Sequence, residues 1–158
     1  MRVLCPFVSL HPKADEALRD HAPNADRIDV SESDFDYFDA ILRRWTGDQD
    51  LMICEQDIAL HVDVIPGFIA CRRPWCLHTY DHMTLGHFID TGLGCVRFTA
   101  ELQQAVPFAM VLKAEAPVPG SWRHLDGQIA ATMASYGMER HVHEPPVTHW
   151  NKHLRRPE

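Results

Sequence analysis

The sequence predicts an α/β domain with a mainly parallel sheet flanked by helices. Within residues 2–54, three short apolar runs alternate with two helical segments, an order that favours parallel strands joined by helices. The third run, Leu51–Cys54, is uninterrupted by polar residues and follows a Gly-Asp turn, as expected for a buried strand. With 158 residues, 46% hydrophobic and 23% charged, the chain has the size and composition of one globular domain.

The elements follow from local signals. Residues 2–10 form the first strand, and Pro6 indicates that its end is near. Pro12 can begin the first helix, which stops before Pro23. A short strand at 26–30 precedes a helix at 34–45, which has apolar side chains at helical spacing. The later predictions are an extended segment at 58–64, a helix at 66–71, a strand at 75–80, a loop at 81–90, a strand at 91–98, a helix at 100–105 capped by Thr99, a helix at 127–136 and a last strand at 138–142 that Pro145-Pro146 stops. We expect one domain over residues 1–149 and a polar tail over 150–158.

Composition excludes several classes of protein. The net charge of −7 argues against tight non-specific binding to nucleic acid, which depends on basic surface. The five cysteines are scattered and form no Cys-x-x-Cys pair, so we expect a reducing cytoplasm and no disulfide framework. The sequence shows no signal-peptide pattern and no apolar run of membrane-spanning length.

Two carboxylates follow the third strand directly. Glu55 and Asp57 are two residues apart, so on an extended chain their side chains point to the same side. In open α/β sheets, ligands bind at the carboxyl edge of the strands. Paired carboxylates suit Mg²⁺ or Mn²⁺ with open positions for phosphate oxygens. The alternative is a solvated turn whose acids only end the strand.

Five segments, taken together and in order, resemble the GT-A glycosyltransferases. The similarity is greatest to small bacterial and phage proteins related to family 2 of that group. The segments are LMICEQD, PWCLHTY, GLGCVRFTAEL, WRHLDGQI and HVHEPPVTH. The resemblance implies a compact, Rossmann-like GT-A fold with a reduced acceptor half, because the chain is short for that fold. The metal motif departs from the usual Asp-x-Asp and is Glu-Gln-Asp.

The resemblance also implies a metal site and a base. Asp57 would be the principal ligand of Mn²⁺ or Mg²⁺, with Glu55 bound directly or through water. A third ligand is expected from a histidine near the C-terminus. His143 is favoured, because the Pro-Pro turn would fold it back onto the sheet edge, and His141 and His149 are the alternatives. Asp126 matches the general base of an inverting transfer, although an aspartate there is equally a helix N-cap.

Donor contacts are implied at three places. The resemblance assigns the nucleobase to the end of the first strand, at Pro6, Phe7 and Val8. Asp29 is a candidate partner of the base or ribose, and Gly92 and Gly94 lie where the chain of the family passes the donor sugar. Tyr37 is a candidate contact or a core residue. Arg97 is a candidate partner of the diphosphate or a solvated charge.

Two other functions stay open at this stage. One is a catalytically degenerate module that binds a nucleotide without turnover. The other is a zinc-binding protein that uses His141, His143 and His149. The sequence names neither the nucleotide nor the sugar. The acceptor is open among a saccharide, a lipid carrier, a protein and a modified DNA base, of which the acidic net charge disfavours the last.

Overall fold

The computed structural model describes residues 1–82, 87–89, 92–113 and 122–150. Most of the predicted tail, residues 151–158, lies outside the described residues. None of the described helices has the length and apolar character needed to span a membrane.

The described residues form strands and helices in an alternating order. The strands are β1 (Arg2–Phe7), β2 (Asp26–Asp29), β3 (Leu51–Cys54), β4 (Ile58–Ala59), β5 (Trp75–His82), β6 (His87–Ile89), β7 (Cys95–Phe98) and β8 (Arg140–His149). The helices are α1 (Pro12–His21), α2 (Asp36–Leu42), α3 (Val64–Ala70), α4 (Ala100–Ala105) and α5 (Trp122–Ser135), with a 3₁₀ helix at Phe108–Lys113.

One sheet organises these elements. Its strand order is β2-β1-β3-β7-β5-β8-β4, and β6 pairs with β5. β1 runs parallel to β2 and to β3, β5 runs parallel to β8, and β7 lies antiparallel between β3 and β5. The predicted α/β class is therefore confirmed, and β3 is an interior strand of the sheet, as expected from its apolar sequence.

Helices cover both faces of the sheet at β3 because this strand is apolar on both faces. Leu51 and Ile53 pack in one cluster with side chains of α2, α4 and α5, whereas Met52 and Cys54 pack in the other with side chains of α1 and α3. All four side chains of β3 are fully buried. The turn that follows β3 is consequently held in a fixed position by the core.

Several elements differ from their predictions. The extended segment predicted at 58–64 and the strand predicted at 91–98 are shorter, at Ile58–Ala59 and Cys95–Phe98. Within the predicted 81–90 loop, residues 81–82 belong to β5 and 87–89 form β6, which pairs antiparallel with β5; residues 83–86 and 90 lie outside the described residues. α5 begins at Trp122 and not at residue 127, because Leu125 and Ile129 pack on one face of a single helix. β8 does not stop at Pro145-Pro146. Between the pairs His78↔His143 and Tyr80↔Val147 the register shifts in a bulge, which accommodates residues that cannot donate to the ladder.

Candidate active site

Three carboxylates converge at the carboxyl end of β3. Glu55 and Asp57 belong to the turn between β3 and β4, and Asp126 lies in the second turn of α5. The segment at residues 92–94 connects them: the Glu55 N–H donates to the Gly94 carbonyl at 2.9 Å, and the Leu93 N–H donates to the Asp126 carboxylate. The fold thus places two acids from the motif opposite one acid from a helix.

The electrostatics of this cluster favour a cation. Burial and the nearby Asp126 carboxylate raise the pKa of Glu55 well above its usual range, and burial raises the pKa of Asp126. The Tyr37 hydroxyl acts in the opposite direction, because it donates to Glu55 Oε1 at 2.7 Å and stabilises the ionised form. A divalent cation would compensate the negative charge that these acids carry when all are ionised.

A histidine lies directly beside Asp57. His149 Nε2 is 3.1 Å from Asp57 Oδ2, and both side chains are largely buried. The end of β8 holds this pair in place, since Ile58 pairs with His149 and the Trp150 N–H donates to the Asp57 carbonyl at 2.7 Å. Octahedral Mg²⁺ with bonds of about 2.0–2.1 Å places neighbouring ligand atoms roughly 2.9 Å apart. The Asp57 and His149 atoms are therefore already near the spacing that such a cation requires.

A cavity of about 510 Å³ adjoins the carboxylates. Its lining comes from the ends of β1, β2 and β3 and from α2: Pro6, Phe7, Val8, Val30, Ser31, Glu32, Ser33, Asp34, Tyr37, Glu55, Gln56 and Asp57. The three residues that the resemblance assigns to the nucleobase, 6–8, thus lie in the wall of a cavity that Glu55, Gln56 and Asp57 also line. A cavity of this volume is within the range of small-molecule sites.

Gln56 fixes the wall of this cavity. Its Oε1 accepts hydrogen bonds from the N–H groups of Val8 and Ser9, at 2.7 and 2.8 Å, and its carbonyl accepts from the His11 N–H at 2.9 Å. The middle residue of the acidic motif therefore positions the loop after β1. Nothing in the sequence distinguishes this role from that of a solvated residue between two acids.

No protein-family model matches the sequence, and no curated protein matches it. Solved structures do match. Glucosyl-3-phosphoglycerate synthase from Mycobacterium tuberculosis, in complex with Mn²⁺, UDP and glucosyl-3-phosphoglycerate, superposes with a TM-score of 0.59 at 12% identity, over 96% of this chain and 72% of that one. A glycosyltransferase involved in glycosylation of the major capsid of PBCV-1 superposes with a TM-score of 0.53 at 12% identity, over 94% and 92%. The chain has the GT-A fold.

Within this GT-A fold, His143 lies elsewhere than expected. It pairs with His78 across β5 and β8, its ring stacks on that of His78 at 5.1 Å, and it contacts Phe68 of α3. Burial and the neighbouring His78 lower the pKa of His143 to about 4. The expectation that His143 lies beside Asp57 is therefore wrong. Because β8 continues through the two prolines, the histidine that lies beside Asp57 is His149.

Asp29 and Asp126 also differ in position from the sequence-based expectations. Asp29 is exposed and does not line the GT-A cavity; its Oδ1 accepts from the Ser31 N–H at 2.9 Å, which shapes the loop that does. Asp126 is not an N-cap, because α5 begins four residues before it. Its carboxylate is half-buried and held by the Leu93 N–H.

The two glycines lie in the buried segment before β7. A Cβ on Gly94 would lie 2.5 Å from Cε1 of Tyr80, so only glycine allows this segment to pass the tyrosine ring. Gly92 is buried beside it. Residues 92–94 also contact Glu55 and Asp126. The close packing of Gly94 against the Tyr80 ring therefore sets the distance between the turn after β3 and α5.

Arg97 is part of the core and not of the cavity. Its side chain is almost fully buried and donates to the carbonyls of Phe68, of Cys71 at 3.0 Å and of Arg73 at 2.9 Å. Phe68 lies in the last turn of α3, where helices leave acceptors unpaired, Cys71 is the C-cap residue, and Arg73 follows the helix. Arg97 therefore caps a helix end, and the suggestion from sequence that it contacts a diphosphate has no support in its position.

Proposed function

We propose that the chain is a metal-dependent glycosyltransferase that moves a hexose or pentose from a nucleoside-diphosphate sugar to an acceptor hydroxyl, with inversion. The observation that carries this proposal is the pair of Asp57 and His149 beside Glu55, with Asp126 nearby, next to the 510 Å³ cavity that Glu55 and Asp57 line. The M. tuberculosis synthase of the same fold was solved with Mn²⁺ and UDP, and also with Mg²⁺ and UDP, which supports a divalent cation and a nucleotide here.

Asp57 and His149 would hold the cation. Glu55 would assist, directly or through water, with the oxygen that Tyr37 does not engage. When bound, Mn²⁺ or Mg²⁺ would act as a Lewis acid that neutralises the leaving diphosphate. The donor would lie in the cavity with its base against the apolar side chains of residues 6–8 and its ribose near the hydroxyls of Ser31 and Ser33.

Asp126 would accept the proton of the acceptor hydroxyl as it attacks the anomeric carbon. Burial raises the pKa of Asp126 to about 6, so the carboxylate is mostly ionised at neutral pH and more basic than an exposed aspartate. The Leu93 N–H orients it. A single base without a separate protein nucleophile corresponds to one displacement, and hence to inversion.

A thermal-shift screen of nucleoside diphosphates with and without Mn²⁺ tests the binding step. A ligand at 100 times its dissociation constant stabilises the folded state by about 2.7 kcal/mol, and we expect this shift only when Mn²⁺ is present. Asp57→Ala should abolish it and Glu55→Ala should weaken it less. Asp63→Ala is the matched control, because Asp63 is an exposed acid before α3 whose side chain makes no capping bond.

Turnover is tested separately. Slow hydrolysis of a nucleotide sugar in the presence of Mn²⁺, lost in Asp57→Ala, would support the transferase. Binding of the nucleotide with no hydrolysis and no transfer would identify a degenerate binding module. Absence of any Mn²⁺-dependent binding across the common nucleoside diphosphates would overturn the proposal.

A further inference from the structure

A second group of metal-ligating side chains lies at the opposite end of β8 from His149. Cys71 ends α3, and His141 and His143 alternate on β8, so they face the same side of the sheet. Cys71 Sγ is 3.4 Å from His141 Nδ1, and the rings of the two histidines have centroids 4.4 Å apart. One ligand atom from each of the three residues lies within 4.8 Å of the others.

We propose that Cys71, His141 and His143 bind one Zn²⁺ ion, with water in the fourth position. One thiolate and two imidazoles form a donor set that zinc favours and that the harder Mg²⁺ and Mn²⁺ do not. Zinc bonds of about 2.0–2.3 Å in a tetrahedron place ligand atoms roughly 3.4–3.6 Å apart. The sulfur and nitrogen of Cys71 and His141 are already at that spacing, and His143 needs a shift of about an ångström.

Two further features suit a bound ion. His143 Nε2 is buried and has no hydrogen-bond partner among the residues that the structure describes, which is unusual for a buried polar atom. Arg97 donates to the Cys71 carbonyl at 3.0 Å and so fixes the backbone that presents the thiol. His141 is exposed, which leaves an open path for the ion and for water.

This site is distinct from the carboxylate cleft in chemistry and in position. The ligands proposed for the cleft are carboxylate oxygens and the His149 imidazole, whereas this group includes a thiol. The zinc site would join the end of α3 to β8, the strand that carries His149 to Asp57. Occupancy should therefore stabilise the fold whether or not the chain transfers sugar.

Cobalt substitution tests the proposal on the full chain. The protein is stripped with a chelator, then titrated with Co²⁺ and Zn²⁺ under reducing conditions. We expect one Co²⁺ per chain to give a thiolate-to-cobalt charge-transfer band and intense tetrahedral d–d bands, both lost when Zn²⁺ displaces it, whether or not further Co²⁺ binds in the carboxylate cleft. Because loss of an outer-shell partner alone costs about 10–100-fold in affinity, Cys71→Ser and His141→Ala should each weaken Zn²⁺ by roughly 100-fold or more.

Two control variants separate this site from others. His21→Ala removes a histidine at the end of α1, outside both groups, and should leave the spectrum and affinity unchanged. Asp57→Asn should weaken metal binding in the carboxylate cleft and leave the thiolate-to-cobalt band unchanged. Two results would overturn the proposal. One is a Co²⁺ complex without a thiolate band, and the other is a Zn²⁺ affinity within about threefold of the parent in both Cys71→Ser and His141→Ala. Either result would mean that Cys71 and His141 form only a thiol–imidazole hydrogen bond.

Discussion

Replacing His149 by alanine should remove metal binding from the cleft and leave the fold intact. The side chain is lost, but the pairing of β4 with β8 and the bond from the Trp150 N–H to the Asp57 carbonyl use backbone atoms and remain. His149 Nε2 lies 3.1 Å from Asp57 Oδ2. Loss of an outer-shell partner of a metal ligand costs 10–100-fold in affinity, so loss of a direct ligand should cost about 100-fold or more. That factor corresponds to about 2.8 kcal/mol.

Stability must be measured alongside affinity. Without the imidazole, Asp57 loses a hydrogen bond of a kind that contributes about 1.5–3 kcal/mol when a charged group takes part. Tyr80 also loses an edge contact with the His149 ring, at 5.1 Å between centroids. Calorimetric titration with Mn²⁺ and a nucleoside diphosphate should therefore be performed well below the melting temperature of the variant. Thr148→Ala, at an exposed position on the same strand, is the matched control.

The outcome distinguishes two assignments. If folded His149→Ala binds Mn²⁺ within about twofold of the parent, His149 is not a ligand and the pair with Asp57 is only structural. If instead His143→Ala loses Mn²⁺, the histidine favoured from the sequence reaches the cleft through a rearrangement of β8.

The remaining predictions concern the base and the glycine segment. Asp126→Asn keeps an acceptor for the Leu93 N–H, so donor binding and stability should survive while the transfer rate falls by about 10²–10⁴. Because only ionised Asp126 accepts a proton, the parent rate at saturating donor should fall as the pH falls through about 6, or at a lower pH when a bound cation opposes the effect of burial and lowers the pKa of Asp126. A pH-independent parent rate would exclude Asp126 as the base. Gly94→Ala should destabilise by about 1–3 kcal/mol in urea unfolding, because its Cβ would overlap the Tyr80 ring. Gly127→Ala, where a Cβ meets nothing within 4 Å, is the control, and equal effects of the two would refute the steric explanation.

The part of the cleft that depends on local sequence could be predicted. An apolar run that ends in Glu55 and Asp57 encodes both a buried strand and acids at its carboxyl end, so strand and motif are adjacent in the sequence. The assignment of residues 6–8 at the end of β1 comes instead from the resemblance to the GT-A enzymes. Only the prediction of the strand and its acids needs no more than periodicity and the position of the strand end.

The parts that depend on long-range pairing could not be predicted. His149 reaches Asp57 across 92 residues, and it does so only because β8 continues past two prolines, which local rules treat as a stop. The role of Arg97 could not be predicted either. Its sequence neighbours predict a strand, but the three carbonyls to which it donates lie in the last turn of α3 and in the residues that follow it, and no local pattern indicates that contact.

The turn after β3 explains why the motif has glutamate where the GT-A pattern has aspartate. Three consecutive residues connect to three different elements: Glu55 to Tyr37 of α2, Gln56 to the loop after β1, and Asp57 to His149 of β8. Tyr37 stands on a helix across the cavity, and the additional methylene of glutamate extends Oε1 toward its hydroxyl. The longer side chain therefore reaches the wall of the cavity, while Asp57, with the shorter side chain, lies next to His149. In the proposed function the cavity and the metal site share this one turn, so a substitution in it should affect nucleotide and metal binding together.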